Sequence, residues 1–397
     1  MRVSTFGAFQ RGLSLMQNLQ AATARTQRQI ASGQRILTPS DDPIAASRAL
    51  ELRESLSRLE QFDRNSDIAT NRLRDEEVAL QGVNDVVQRV RELALQANNA
   101  TQSNETRGLI AIEMRQHLDQ LVQLANQKDG NGRFLFSGNL DETTPVTVNG
   151  GNFSYNGDQG QRQIQIGESR TVADGDSGAD VFFRIRAGNG SFVVAPGAGN
   201  TGAGIAASSS VVDPTQYDSA PYTVRFIDSS NYDVLDASNT VISSGAHQPG
   251  SSITFRGIEF TLDGQPVAGD EFITAPSPNQ DVFTSIQNLI TAVETPVTGS
   301  TSRAFLNNGI NSGLEDIDQA IGKILDVRTR VGSRLAAIES QGDANSAFAL
   351  TVQETIGALE DLDYAEALSR LSFELSVLEA AQQSFVRTQS LSLFNFL

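Results

Sequence analysis

The chain has 397 residues, of which 39 % are hydrophobic, so it is long enough for two or three domains with their own cores. Its 47 acidic and 30 basic side chains give a net charge of −17, which argues against a nucleic-acid partner. There is no cysteine, and His117 and His247 are the only histidines, so disulfides and cysteine-ligated zinc are excluded and histidine metal sites nearly so.

Residues 1–19 contain neither an uninterrupted apolar stretch nor a small-residue cleavage site, so we expect no cleaved secretory signal. No stretch approaches the ~20 apolar residues that span a bilayer, and we expect no membrane insertion. If the chain is exported, it leaves by a route that needs no cleaved signal.

Residues 1–40 carry a helical pattern that is modest in apolar content. Phe9, Leu13, Met16 and Ile30 follow three-four spacing, with polar residues at positions 20, 23 and 27. The segment holds five arginines and no acidic residue. We predict an N-terminal helix whose stripe packs on another helix.

A second helical region is predicted for residues 41–140. Asp42 can cap a helix while Pro43 takes the first helical position, where its missing N–H costs nothing. Farther along, a three-four stripe is broken only by Glu76. Its apolar members are Leu73, Leu80, Val83, Val87, Val90, Ala94 and Ala97.

Residues 141–280 change to a β pattern. They contain 8 of the 11 prolines and 18 of the 33 glycines. Apolar and polar residues alternate in four runs separated by turn residues, namely 162–167, 180–188, 222–228 and 252–264. We predict an inserted antiparallel β domain in which the Gly-, Ala- and Ser-rich stretch 196–210 forms an exposed, mobile loop.

Helical patterns return at 281–360 and again at 361–397. The first carries the stripe Leu314, Ile317, Ile321, Ile324, Val331, Leu335 and Ile338, with Arg328 as its one polar step. The second carries Tyr364, Leu368, Leu371, Leu375, Leu378, Phe385 and Phe396 on one seven-residue repeat, and Leu391 and Phe394 make its end more apolar still.

The two chain ends are predicted to pair. Residues 363–397 hold four acidic residues and two arginines, opposite in balance to the N-terminus. Exposed ion pairs contribute only tenths of a kcal/mol, whereas each buried leucine contributes roughly 1.5–3 kcal/mol. The predicted fold class is therefore α+β: a long antiparallel coiled-coil rod formed by both chain ends, with an inserted antiparallel β domain.

Two sequence patterns typical of cofactor or metal binding occur, but the residues around them do not fit the corresponding sites. Gly197, Gly199 and Gly202 form G-x-G-x-x-G, but no amphipathic helix follows to bind a phosphate. The run 174–180, DGDSGAD, lacks the glycine and glutamate of a calcium loop and is better interpreted as a turn. Without cysteine, and with two distant histidines, a nucleophile–base pair is hard to assemble. We expect no enzyme activity, no cofactor and no metal.

Particular stretches resemble a known family. Residues 32–50, SGQRILTPSDDPIAASRAL, and 88–101, QRVRELALQANNAT, resemble the flagellin superfamily. Within that superfamily, the chain is most similar to the hook–filament junction members, on the basis of residues 131–139, 154–169 and 378–397. The alternative is that it resembles flagellin itself.

The resemblance implies an extracellular structural protein of the bacterial flagellum, exported by a type III route without a cleaved signal. Its implied partners are other copies in the junction ring, the adjacent hook-associated protein, flagellin and a cytosolic chaperone on the C-terminal helix.

In this family the chain ends pair in the core of the tube, and their apolar stripes are buried only against neighbouring subunits. The implied assembly interface comprises Phe9, Leu13, Met16, Ile30, Leu368, Leu371, Leu375, Leu378, Phe385, Leu391, Phe394 and Phe396. Two other interpretations stay open. The C-terminal stripe could be an ordinary core helix, and the region of Arg89, Leu93 and Glu113 resembles a flagellin surface sensed by innate receptors.

Overall fold

The computed structural model describes residues 5–390, and within them helices flank a region of strands. The helices are α1 (Thr5–Ser32), α2 (Pro43–Asn98), α3 (Asn104–Ala125), α4 (Val282–Glu294), α5 (Ser300–Glu360) and α6 (Tyr364–Ser390). The strands are β1 (Val146–Asn149), β2 (Asn152–Tyr155), β3 (Gln163–Gln165), β4 (Thr171–Ala173), β5 (Ile185–Arg186), β6 (Phe192–Pro196), β7 (Ile205–Val211), β8 (Tyr222–Phe226), β9 (Asn231–Leu235), β10 (Val241–Ala246), β11 (Ser251–Phe255), β12 (Ile258–Asp263), β13 (Glu271–Pro276) and β14 (Asn279–Gln280). The strand pairs of the described chain are antiparallel, which confirms the predicted α+β class.

The chain divides into two compact units, and the division falls within α2 and α5. The smaller unit comprises residues 1–64 and 341–397, and therefore contains α1 and α6. The larger unit comprises residues 65–340, with α3, α4 and all the strands.

The larger unit has a helical core built from α2, α3, α4 and α5. The apolar stripe predicted between 73 and 97 is fully buried, and the stripe between 314 and 338 is buried or packed against it. Gly309 and Gly313 let α5 approach α4 closely, because a Cβ at Gly313 would lie 2.5 Å from Leu289 Cδ1. Burial of this stripe, at roughly 1.5–3 kcal/mol per large side chain, explains why the helices form here.

A second core lies in the β region of the same unit. It is enclosed by a five-stranded sheet, ordered β10-β9-β8-β13-β6, and a three-stranded sheet, ordered β11-β12-β7. Phe226 and Phe272 of the first sheet and Phe260 of the second are buried together, with ring centroids 6.2 Å and 6.5 Å apart along the series Phe226, Phe272, Phe260. The arrangement is a small antiparallel β-sandwich.

The prediction of a loop at 196–210 is wrong in its second half, where β7 begins at Ile205. Ala and Ser favour strands only weakly, so local sequence did not indicate one. Tertiary contacts supply the pairing: β12 lies on one side, and on the other Asn308 of α5 accepts from the Ala206 N–H at 2.8 Å and donates to Gly204 O at 2.9 Å.

The runs 180–188 and 252–264 also differ from simple strands. Residues 179–183 form a π-helical turn, and only 185–186 pair as β5, because consecutive Val181 and Phe182 are both buried rather than alternating. The second run is a hairpin, β11 and β12, joined at Arg256 and Gly257 with φ of 45° and 76°.

Candidate assembly surface on the terminal helices

Helices α1 and α6 pack along each other in antiparallel fashion. Their adjoining ends are joined by backbone hydrogen bonds: Arg35 N–H donates to Glu360 O at 2.7 Å, and Leu362 N–H to Gly33 O at 2.9 Å. We call residues 33–35 and 360–362 the root of the pair. Gly33 has φ of +72° and lies under the Tyr364 hydroxyl, so glycine fits both the turn and the close approach.

Carboxylates organise the chain beside the root. Asp41 accepts hydrogen bonds from the backbone N–H groups of Thr38 and Leu37 and lies 2.6 Å from Arg25. These interactions, the Thr38 N–H first, lower the pKa of Asp41. Asp42 Oδ1 accepts from the Ala45 N–H at 3.0 Å, and Pro43 is the first residue of α2, which is the geometry of a helix cap.

A cavity of about 420 Å³ lies beside the root and is lined mainly by charged side chains. Its arginines are engaged: Arg25 with Asp41, Arg35 with Asp42 and Leu359 O, and Arg370 with Glu366. Among the described residues, no group of three or more acidic or histidine side chains could hold a metal ion. None of the helices in residues 5–390 is long and apolar enough to cross a membrane.

The seam between the two helices combines small and polar side chains with large apolar ones that are half-buried. On α1 the enclosed positions include Gly12, Thr23 and Thr26. Gly12 lies against Phe385, whose ring also packs on Phe9 with centroids 5.3 Å apart. Across the described parts of α1 and α6, only Thr23, Thr26, Gln29 and Ala367 are fully buried. Intramolecular pairing therefore leaves the large apolar side chains of the seam only half-buried.

The apolar residues of α6 fall into two neighbouring columns. Leu371, Leu378 and Phe385 are half-buried at the seam. Tyr364, Leu368, Leu375 and Val386 stay 45–63 % exposed, and helical geometry places them within a sector of about 40°. We call these four residues the outer column. The sequence pattern joined the two columns into one stripe, whereas the structure separates them.

The α1 residues predicted for the assembly interface also differ in how exposed they are. Met16 and Ile30 are half-buried, whereas Phe9 and Leu13 are about two-fifths exposed. Leu391, Phe394 and Phe396 lie outside the described residues. Leu15 of α1 and Val386 and Phe373 of α6 are exposed apolar residues that the sequence analysis missed, because they lie off the main repeat.

The flagellin-like surface residues lie in the larger unit. Arg89 Nη2 lies 2.8 Å from Glu113 Oε1, so these two charges meet across α2 and α3. Leu93 is fully buried, and its side chain is not part of that surface.

Comparison with known proteins identifies the architecture. Residues 3–141 match the bacterial flagellin N-terminal helical region and residues 314–397 the bacterial flagellin C-terminal helical region. Residues 196–276 match the D2-like domain of flagellar hook-associated protein 1. The helical ends thus define a flagellin-type flagellar protein.

Longer matches narrow the class. Flagellar hook-associated protein 3 of Escherichia coli (strain K12) is 27 % identical over 99 % of both chains. The crystal structure of the flagellar junction protein FlgL from Legionella pneumophila is 32 % identical, covers 79 % of this chain and all of its own, and gives a TM-score of 0.72. The chain belongs to the FlgL family, that of flagellar hook-associated protein 3, which is a family of structural flagellar proteins.

Flagellins match more distantly. Flagellin FlaB1 of Treponema pallidum is 32 % identical over only 37 % of this chain and 52 % of its own length. The alternative that the chain is flagellin itself is therefore not supported.

Proposed function

We propose that this chain is a structural component of the bacterial flagellum that forms part of the junction between hook and filament, on which flagellin polymerises. Family membership supports the junction, since the Legionella relative is a flagellar junction protein. The observation that carries the assembly role is the outer column of α6, whose side chains are about half exposed beside a seam that is itself only partly buried.

The outer column is better suited to subunit contacts than to the fold of one chain. Full burial of a leucine side chain contributes roughly 1.5–3 kcal/mol, and covering Leu368 and Leu375 would provide a sizeable part of that for each. This exceeds the contribution of the buried threonines at the seam. Assembly can provide that cover, because every neighbouring subunit in a ring presents the same two helices. The interpretation of α6 as an ordinary core helix fits less well, because Leu368 and Leu375 stay about half exposed outside the seam.

The remaining features of the proposal concern partners and export. The partners are other copies of the chain, the adjacent hook-associated protein, flagellin, and an export chaperone that covers α6 before assembly. The chain acts outside the cell and performs no catalysis. Charged residues, several of them paired with one another, line the cavity beside the root, which suits a structural role.

Deletion of the gene tests the junction role directly. We expect electron microscopy to show hooks without filaments and immunoblots of the medium to show abundant unpolymerised flagellin. Hooks without filaments and without secreted flagellin would instead mean that this chain is the flagellin.

Complementation of the deletion tests the surface. The double variant Leu368→Ser/Leu375→Ser should be exported but should not restore filaments, because it removes apolar contact from the outer column. Gln382 lies on the same face of α6 and is already polar, so the control variant Gln382→Ser should restore filaments. Normal filaments with the double variant would exclude the outer column as an assembly surface.

A further inference from the structure

The chain contains five asparagine–glycine pairs, and the function proposed above uses none of them. They begin at Asn131, Asn149, Asn156, Asn189 and Asn308. Asparagine is chemically labile, and most so before glycine, because glycine has no side chain to hinder the approach of its backbone nitrogen to the asparagine amide. The fold decides which of the five pairs is free to react.

Three of the pairs have their asparagine amide fixed by hydrogen bonds. Asn156 Nδ2 donates to Thr147 Oγ1 at 3.0 Å, and Asn189 Nδ2 donates to Ser209 Oγ at 2.9 Å. Asn308 is buried in α5, where its amide bonds to the segment that begins β7. Each of these amides would have to break its bonds before it could turn towards the following nitrogen.

The fourth pair, Asn131 and Gly132, is exposed but has its reacting nitrogen engaged. The Gly132 N–H donates to Asp129 O at 2.9 Å. Asp129 Oδ1 also accepts from the N–H groups of Asn131 and Arg133, at 2.9 Å and 3.0 Å. The whole turn is therefore held around Asp129.

The fifth pair lies at the tip of the β1–β2 hairpin and is free on both sides. Asn149 pairs with Asn152 across a two-residue turn, in which Gly150 and Gly151 have φ of 59° and 85°. Asn149 and Gly150 are both exposed, and within residues 5–390 neither the Asn149 amide nor the Gly150 N–H forms a hydrogen bond. Two consecutive glycines also leave the backbone here unusually free to rotate.

We propose that Asn149 is the asparagine of these pairs that reacts first in the folded chain, converting spontaneously to a mixture of aspartate and isoaspartate. The Gly150 backbone nitrogen attacks Asn149 Cγ and forms a C–N bond. The Cγ–Nδ2 bond breaks, and ammonia leaves with the proton of the Gly150 N–H. Water then opens the cyclic imide on either side of its nitrogen. Opening at Cγ gives aspartate, and opening at the backbone carbonyl gives isoaspartate.

The structure limits what this modification changes. Either product adds a negative charge to the hairpin tip, and isoaspartate also adds a carbon to the backbone of β1, which disturbs the pairing of residues 149 and 152. Farther from the tip, Val146 is buried, and Phe153 stacks on Phe283 of α4 with ring centroids 5.2 Å apart. The rest of the hairpin should therefore stay packed after the turn has reacted.

Peptide mapping by mass spectrometry of the full-length chain, incubated in mildly alkaline buffer, tests the proposal. In the folded chain, conversion at Asn149 should be at least about tenfold faster than at each of the other four asparagines. In urea, where the fixed bonds are lost and each asparagine keeps the same following residue, the five rates should differ by less than about threefold.

A matched pair of variants at exposed positions checks the source of the reaction. Asn149→Gln should abolish the early release of ammonia from the folded chain, because a longer side chain closes the ring poorly, whereas Asn131→Gln should retain it. Faster conversion at another pair in the folded wild type would overturn the proposal. So would an Asn149 that is as unreactive as the other four until urea is added, and neither measurement needs a variant to fold.

Discussion

Single side chains set the chemistry of this chain through what surrounds them, and His247 is an example. It is fully buried in the β-sandwich, where its ring meets Phe226 edge-to-face at 5.4 Å. Burial lowers the pKa of His247 below its usual value of 6.5. The unfolded chain therefore binds a proton more readily, so the stability that this residue contributes is lost as the pH falls below about 6.5.

We predict that the urea midpoint of the sandwich falls as the pH is lowered from about 7.5 to about 5.5. The chain has five tyrosines and no tryptophan, so tyrosine fluorescence can follow the transition. His247→Gln should reduce this pH dependence, whereas His117→Gln, on α3, should leave it. Equal pH dependence in the wild type and His247→Gln would contradict the assignment.

Asp42 gives a second prediction at this scale. Because its carboxylate caps the first turn of α2, Asp42→Ala should lower the free energy of unfolding of the smaller unit by about 0.5–2 kcal/mol. Asp42→Ser keeps a capping oxygen and should lose much less. Urea unfolding followed by circular dichroism compares the two, and a similar loss in both would show that the cap is not the cause.

At the scale of elements, the contact between α4 and α5 depends on a missing side chain. Gly313→Ala would place a Cβ within 2.5 Å of Leu289, and we predict a net loss of about 1–3 kcal/mol in the free energy of unfolding. Gly322 lies on the same helix with nothing within 4 Å of its Cβ position. Gly322→Ala should therefore stabilise the chain by up to about 1 kcal/mol.

Thermal unfolding followed by calorimetry separates the two glycine variants. We expect the melting temperature to fall for Gly313→Ala and to rise slightly for Gly322→Ala. A stabilised Gly313→Ala would mean that Leu289 moves aside without loss of packing.

The elements also show what sequence patterns can and cannot predict. Strong three-four spacing predicted the stripes of α2 and α5, because burial follows spacing when a helix is surrounded. On α6 the same spacing placed Leu368 with Leu371, although only the column of Leu371 is half-buried and that of Leu368 is exposed. The reason is that Gly12 and Ala367 admit the partner helix closely, and close approach depends on small residues rather than on apolar ones.

Long-range polar contacts limited the prediction elsewhere. Asn308 pairs with β7 from a position about 100 residues away, so the local composition of β7 indicated a loop. Glu76 stood out in the sequence as a break in an apolar stripe, but only the structure shows that it is fully buried and accepts a hydrogen bond from the Asp176 N–H. The helix start at Asp42 and Pro43, by contrast, depends on neighbouring residues alone and was visible in the sequence.

At the scale of the whole molecule, the unassembled chain should be protected unevenly. The described parts of α1 and α6 bury only short or polar side chains, whereas α2 and the sandwich bury many large ones. We predict that limited trypsin digestion cuts first at Arg25, Arg28 and Arg370. Mass spectrometry of the fragments identifies the order of cleavage. Arg72 and Arg107, both buried, should be cut last.

The outcome of that digestion bears on the proposed assembly. Incorporation into a flagellum should protect the same arginines, because neighbouring copies would cover the terminal helices. First cuts within the sandwich, with the terminal helices intact, would contradict the idea that these helices are incomplete in a single chain.

The root has a mechanical consequence for the terminal pair. Two backbone hydrogen bonds fix α1 and α6 to each other at Gly33 and Leu362, whereas Phe9 and Phe385 meet roughly 36 Å farther along, at ~1.5 Å per residue. The two helices are therefore held to each other at both ends, and a small rotation of the pair at the root would become a large displacement at Phe9 and Phe385. In the proposed assembly, dihedral changes in both connections at the root, near Gly33 and near Leu362, would move the two helices together.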